Sequence, residues 1–330
     1  MKKYKALRIQ EIDNRYVAAV QELPLSDLPQ NDVLIEVHYS GINYKDFLSS
    51  SGNKGITRQY PHTPGIDAAG IIVSDKSGNF QTGQEVVVMG YDLGMNTAGG
   101  FAQYVSVPYQ WVMAKPENLT LKQTMQIGTS GFTAALGITK MLLQGQRTAD
   151  GPILVTGATG GVGIYAVQLL HSLGFEVIAS TNKAEVKDIL LHIGAKEVVT
   201  RQEILVAKEK PLARPRFAGA LDTVGGDTLV AVLKQTQKSG SVATCGNVAG
   251  AQLEMTVFPF ILNGINLLGI NAADTPMANR KEVWKLLDKF INTELIDAAC
   301  QEIALEQIPD ALAMMAQSAH VGRFLVNTQQ

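Results

Sequence analysis

The chain has 330 residues, 46% hydrophobic and 18% charged, with a net charge of −2. That length suggests about two domains, and the balance is ordinary for a soluble globular enzyme. It argues against a nucleic-acid binder, because no lysine or arginine block is long enough, and against a membrane span, because no apolar run nears ~20 residues. Lys208, Lys210, Arg214 and Arg216 do cluster, but Pro211 and Pro215 interrupt them, which reads as a solvated loop. Cys245 and Cys300 are the only cysteines, too few for a disulfide framework. A strand pattern, and no apolar signal core, follows Met1-Lys2-Lys3-Tyr4-Lys5, so the expected location is the cytoplasm.

In chain order, strands are predicted at Tyr4–Ile9, Asp32–Ser40, Ala68–Val73, Glu85–Met89 and Ala102–Pro108, separated by turn signals such as Ser77-Gly78-Asn79 and Thr82-Gly83-Gln84. Such short spacing indicates a barrel-like or sandwich-like β unit. From about Leu121 the texture changes. Helical spacing over Met125–Leu143 is followed by strand Ile153–Thr156, helix Val162–Leu173, strand Glu176–Ser180, helix Glu185–Ile193 and strand Glu197–Thr200. Strand Gly219–Thr223, helix Thr228–Thr236 and strands Ser241–Cys245 and Asn266–Ile270 complete the series. This alternation predicts a doubly wound parallel sheet. Arg280–Asn292 and Ile308–Gln317 read as helices, and Ile303–Leu305 and Arg323–Val326 as strands. The expected division is residues 1–121, a second domain over 122–271 and a return to the first over 272–330.

Between the strand at Ile153 and the helix at Val162 lies Gly157-Ala158-Thr159-Gly160-Gly161-Val162-Gly163. Glycines let a backbone turn sharply and approach an anion, and the helix N-terminus offers unpaired N–H groups. The run is a variant of the dinucleotide fingerprint, so Thr159, Gly160, Gly161 and Val162 are candidate phosphate contacts; a purely structural turn is the alternative. NAD-selective chains carry an acid about 20 residues past these glycines, on the ribose 2′-hydroxyl. Here Ser180-Thr181-Asn182-Lys183 stands there, without a carboxylate. A 2′-phosphate is tolerated by that turn and attracted by Lys183, which favours NADPH. The alternative is a plain turn with a solvated lysine. Arg201, past the next strand, either reaches the same phosphate or is simply exposed. Thr223, in Leu221-Asp222-Thr223-Val224-Gly225-Gly226, and Cys245-Gly246 end strands on the ligand side of such a sheet, and Leu267 on the following strand is placed beside the cofactor. A methyltransferase built on the same glycine turn would usually keep an acid near Ser180.

Several runs together resemble the medium-chain dehydrogenase/reductase superfamily over essentially the whole chain: Gly41-Ile42-Asn43-Tyr44-Lys45-Asp46, Pro64-Gly65-Ile66-Asp67-Ala68-Ala69-Gly70, Gly99-Gly100-Phe101-Ala102-Gln103-Tyr104 and Gly128-Thr129-Ser130-Gly131-Phe132-Thr133-Ala134. The resemblance implies a GroES-like β-rich catalytic domain beside a Rossmann NADPH-binding domain. Zinc-dependent members carry a cysteine where this chain has Asn43, His-Glu where it has Ile66-Asp67, and another cysteine near Gly128. The chain therefore looks like the zinc-free, quinone-oxidoreductase-like branch, with no metal. Within it, the sequence is similar to the acryloyl-CoA reductase group, which reduces a 2-enoyl thioester with NADPH.

That resemblance places Asn43 and Tyr44 beside the nicotinamide and the substrate carbonyl. Tyr44 is the first candidate for proton donor or enolate contact, with a packing role as the alternative. Lys45 is expected on the nicotinamide ribose or the substrate and Asp46 to orient it, unless the two form a capping ion pair. Asp67 is expected to make structural hydrogen bonds. Thr129 and Thr133, at the start of the helix beneath the nicotinamide, are either cofactor contacts or caps. Arg323 is a candidate phosphate clamp, or else a surface ion pair. Lys54 and Arg58 serve CoA phosphates or lie in a solvated loop. No histidine receives a role. A homodimer through the edge strand Asn263–Ile270 is expected. Quinone or alkenal reduction, and a non-catalytic NADPH sensor, stand as the competing functions.

Overall fold

The computed structural model describes residues 2–183, 186–317 and 320–330. The chain divides into two compact units: Met1–Thr129 with Ala273–Asp288 and Ile296–Gln330, and Ser130–Ala272 with Lys289–Leu295. The crossing falls inside a helix, beside Gly128, whose φ of 45° and ψ of −154° break the helical path. Only glycine takes that conformation without strain.

The first unit opens with strands β1 (Lys3–Ile12) and β2 (Arg15–Pro24), paired antiparallel throughout. Asp13 and Asn14 join them at φ 50° and 60°. Two successive positive φ values suit the right-handed twist of a tight hairpin, and Asp and Asn tolerate them best after glycine. Strand β3 (Val33–Gly41), helix α1 (Tyr44–Ser50) and strands β4 (Asp67–Asp75), β5 (Glu85–Met89), β6 (Tyr104–Val107) and β7 (Val112–Ala114) follow. Helix α2 (Leu121–Leu143) leads into the second unit.

That unit holds β8 (Ile153–Thr156), α3 (Gly161–Ser172), β9 (Val177–Ser180), α4 (Lys187–His192), β10 (Glu197–Val199), α5 (Arg201–Leu205), β11 (Phe217–Asp222), α6 (Gly226–Gln235), β12 (Thr236–Thr244), α7 (Phe258–Asn263) and β13 (Asn266–Gly269). Glu185, the expected first residue of the helix ending at Ile193, lies outside the described residues. The return comprises α8 (Met277–Phe290), α9 (Thr293–Ala298), β14 (Cys300–Ala304), α10 (Ile308–Ala316) and β15 (Arg323–Asn327).

In the first unit β14, β15, β3, β4, β5 and β7 lie side by side, with β6 also on β3. Strand β15 runs antiparallel to β3 with Leu325 opposite Gly41, so the return segment completes this sheet. Its alternating inward residues, among them Val33, Ile35, Val37, Ala68, Ile72, Val86 and Val105, form one core cluster. A second joins Leu7 and Ile9 to Phe101, Ile308, Leu312, Phe324 and Val326.

The second unit is a parallel sheet in the order β10, β9, β8, β11, β12, β13. This is the doubly wound order of the Rossmann fold, reversing direction between β8 and β11. Its inner strands β8, β9 and β11 are buried along their whole length, as a parallel sheet covered on both faces requires. The expected α/β architecture, with a Rossmann sheet in one unit and a GroES-like β-rich domain in the other, is the one found.

Candidate functional site

In the second unit the glycine run forms the turn from β8 into α3. Gly157 has φ 58° and its carbonyl accepts from the Gly160 N–H at 2.9 Å. A Cβ at Gly163 would fall on the Gly157 carbonyl and the Ala158 backbone, so this position needs glycine for close turn-to-helix packing. Gly160 is the N-cap of α3, with no side-chain cap and no acid in the first turn. The first N–H groups of a 12-residue helix, at Gly161 and Val162, are thus left to an anion. Such a cradle fits a dinucleotide pyrophosphate.

Beside it, the Thr159 and Thr181 hydroxyls lie 3.4 Å apart, and Thr181 Oγ1 accepts from the Lys183 N–H at 3.1 Å. Asn182 Oδ1 accepts from the Arg201 N–H at 3.1 Å. Ser180 is buried at the end of β9. The strand ends are stitched by Asp222, a buried residue that was not among the candidate contacts. Its Oδ1 accepts from Thr156 Oγ1 at 2.6 Å, and its Oδ2 from the Gly225 N–H at 2.9 Å and Thr244 Oγ1 at 3.3 Å. Burial raises its pKa against these bonds. Thr223 Oγ1 donates to the Thr156 carbonyl at 2.9 Å, so that hydroxyl is already engaged by β8. A Cβ at Gly246 would fall on the Thr223 carbonyl, which shows how closely β11 and β12 end. Burial pushes the Cys245 thiol up to about 12, and it sits 3.6 Å from the Asp222 carbonyl as a neutral donor. Thr133 is buried in α2, and Leu267 is half-buried on β13 opposite Val242.

The first unit carries a polar cluster at the start of α1. Arg323 Nη2 lies 2.5 Å from Asp67 Oδ2, with side chains 2% and 0% exposed. Arg323 Nη1 donates to Asn43 Oδ1 at 2.9 Å and Nε to the Met125 carbonyl at 3.2 Å. Asn43 Nδ2 donates to Asp67 Oδ2 at 2.8 Å, and the Thr129 hydroxyl and N–H donate to Asp67 Oδ1 and Oδ2 at 2.5 and 3.0 Å. Cβ atoms at Gly41 or Gly128 would collide with the guanidinium, so both glycines make room for it. This corrects the expectation for Arg323. A guanidinium buried against Asn43, Asp67 and the Met125 carbonyl inside the unit is not a phosphate clamp, and its pair is not at the surface. Thr129 likewise turns to Asp67.

Asp46 is corrected too. Its Oδ2 accepts from the Asn43 N–H at 2.8 Å and its Oδ1 from the Gly65 and Ile66 N–H groups at 3.0 and 2.9 Å. It caps α1 and ties it to the segment before β4, and does not orient Lys45, which lies partly exposed. Burial pushes Asp46 up to about 7, opposed by these N–H donors and reinforced by the charge of Asp67. Tyr44, the first residue of α1, is 49% exposed; its ring leans on Phe47 at 5.8 Å and its hydroxyl has no partner among the described residues. Lys54 is pinned by Glu11 at 2.8 Å and lies over the rings of Tyr16 and Tyr60.

Family models match twice: an alcohol dehydrogenase GroES-like domain over residues 29–117 and a zinc-binding dehydrogenase domain over residues 161–291. The putative quinone oxidoreductase YhfP of Bacillus subtilis (strain 168) is 40% identical over 98% of both chains. A crystal structure of Bacillus subtilis protein yhfP with NAD bound has a TM-score of 0.97 at 40% identity, covering 99% of this chain and 100% of that one. The probable acrylyl-CoA reductase AcuI of Escherichia coli (strain K12) is 39% identical over 98% of this chain and 99% of its own. The yhdH oxidoreductase of Salmonella enterica, crystallised with NADP, has a TM-score of 0.96 at 39% identity, covering 98% of this chain and 99% of that one.

The chain belongs to the medium-chain dehydrogenase/reductase family. It is an oxidoreductase of that family, and its residues do not fit the zinc ion that many members hold. Among the described residues no group of three or more His, Cys, Asp or Glu side chains could hold a metal. Asn43, Ile66-Asp67 and Gly128, which stand at the positions of the family's metal ligands, instead enclose or adjoin the Arg323 guanidinium. A fixed organic cation takes that place in this medium-chain dehydrogenase/reductase.

Proposed function

We propose that the chain reduces the carbon–carbon double bond of a short 2-enoyl thioester of the acryloyl-CoA type, with NADPH as reductant. The observation that carries this reading is Tyr44, a half-exposed phenol with no partner among the described residues, next in sequence to Asn43 of the buried Asn43–Asp67–Arg323 cluster. Bound NADPH would supply a hydride to the β-carbon, and negative charge then grows on the thioester oxygen. An O–H donor facing that charge is what the step requires, and Tyr44 offers a hydroxyl without breaking an internal bond. The same hydroxyl, or water, returns a proton to the α-carbon. Gly160, Gly161 and Val162 would hold the pyrophosphate. Ser180, Thr181, Asn182, Lys183 and Arg201 would take the 2′-phosphate, with no carboxylate to repel it. Thr223, Cys245, Gly246, Leu267 and Thr133 would border the remainder, and Lys45 the ribose or substrate. The relatives named AcuI favour the thioester, while the name of YhfP favours a quinone as the second reading.

The test is NADPH oxidation by the purified protein with acryloyl-CoA, 1,4-benzoquinone and acrolein at matched concentrations, with NADH as control. Turnover strongly favouring the thioester supports the reading. Turnover confined to quinone or aldehyde replaces it with detoxifying reduction. NADPH binding without turnover would point to a sensor.

A homodimer is part of the same proposal. Strand β13 is a sheet edge, and Ile261 and Leu262 just before it are 67% and 57% exposed. A mass of one chain by light scattering would remove it. Among the described residues no helix is long and apolar enough to cross a membrane.

A further inference from the structure

Thr228 was not a candidate on sequence, and nothing in the proposed chemistry touches it. It is 1% exposed, in the first turn of α6. Its Oγ1 accepts from Arg201 Nε at 2.8 Å. Arg201 is held a second time, by its backbone N–H on Asn182 Oδ1 at 3.1 Å. The side chain is thus fixed at its Nε edge and the main chain at the turn that follows β9. The two terminal nitrogens, Nη1 and Nη2, bond nothing among the described residues. They form the edge of a guanidinium that grips phosphate through two parallel N–H donors. Asn182, which anchors the Arg201 backbone, belongs to the turn 180–183; that turn carries no acid, and its Thr181 hydroxyl lies 3.4 Å from that of Thr159.

An unanchored arginine loses much rotamer entropy when it binds an anion. The Thr228 hydroxyl removes part of that cost beforehand, because it holds the guanidinium through the one nitrogen that a bidentate phosphate contact leaves unused. We infer that Thr228 is a positioning residue for phosphate selectivity: it presets Arg201 for the 2′-phosphate and so sets the preference for NADPH over NADH. This rests on the NADPH reading above and adds a residue that never meets the ligand.

The experiment measures binding of 2′,5′-ADP and of 5′-AMP by calorimetry to the full-length protein and to Thr228→Val, Thr228→Ser and Arg201→Gln. Valine keeps the buried volume and removes the acceptor. The expected result is a loss of about tenfold in 2′,5′-ADP affinity in Thr228→Val, the size of one hydrogen bond to a charged group. Binding of 5′-AMP should be unchanged, with Thr228→Ser restoring the wild-type value and Arg201→Gln losing at least as much. A merely structural role would weaken both ligands together. A Thr228→Val protein that keeps its preference for 2′,5′-ADP overturns the inference while leaving the NADPH reading intact. A wild-type protein that binds the two ligands equally overturns the NADPH reading itself, and the inference with it.

Discussion

Arg323 Nη2 and Asp67 Oδ2 lie 2.5 Å apart in the interior of the first unit, on strands whose sequence positions are 256 residues apart. Removing one partner leaves the other as an uncompensated buried charge, a cost of about 3–5 kcal/mol. Arg323→Met and Asp67→Asn should each lower the unfolding free energy measured in urea by that much, and the double variant by less than their sum. Arg323→Lys should not restore stability, because an ammonium cannot reach Asp67, Asn43 and the Met125 carbonyl in one plane. Additive losses would show that the pair is not a coupled unit.

Asp46 provides a pH dependence with a definite sign. Its carboxyl sits at about 7 in the fold, against about 3.9 in an unfolded chain. The folded state therefore binds the proton more tightly. The stability this confers is complete below about pH 3.9 and is lost as pH rises through 7, to the extent of about 4 kcal/mol. In Asp46→Asn this contribution to the slope between pH 4 and 7 should vanish, even though the amide meets the Asn43 N–H less well and lowers stability overall. Parallel stability–pH curves for the two proteins would refute the assignment.

Tyr44 separates chemistry from folding. Its hydroxyl has no partner among the described residues, so Tyr44→Phe should change stability by no more than about 0.5 kcal/mol. Turnover of an enoyl thioester should fall about 100-fold or more, the cost of losing a donor to a developing oxyanion. NADPH affinity should stay constant. Unchanged turnover would pass the role to solvent.

Gly163→Ala places a methyl group on the Gly157 carbonyl. The turn must open, and nucleotide affinity should drop by more than tenfold with a modest loss of stability. Tryptophan-independent readouts such as calorimetry would register both.

Cys245, with its thiol at about 12, carries roughly one thiolate in ten thousand at pH 8. Iodoacetamide should modify it slowly in the native protein and readily after denaturation, as followed by mass spectrometry. Fast native labelling would mean that the burial is not maintained in solution.

The segment from Ile153 to Leu170 was the most legible part of the chain, because strand, turn and helix are adjacent and each leaves a local mark. The strand at Glu85–Met89 was legible for the same reason. The hairpin partner β2 was not, since Arg15–Pro24 is mostly half-exposed and its polar residues weaken the alternation. Helix α7 is six residues long with a proline in its first turn, too short to show a period. The roles of Arg323 and Thr228 were illegible for a different reason. Each depends on a partner brought close only by the sheet, 256 residues away for Arg323 and 27 for Thr228. A guanidinium beside Gly322 reads equally as a surface or ligand group until the two glycines that house it are seen around it.

Because β15 seats against β3, the order of synthesis matters to the first unit. A ribosome adding about 5–20 residues per second makes Asp67 some 10–50 s before the Arg323 that neutralises it. The whole nucleotide unit emerges in that interval and can form its sheet from consecutive strands. The earlier half must wait with an unpaired carboxylate and an open sheet edge. A chain arrested shortly before β15 should consequently show a protease-resistant fragment from the middle of the sequence and rapid cleavage of the residues that precede it.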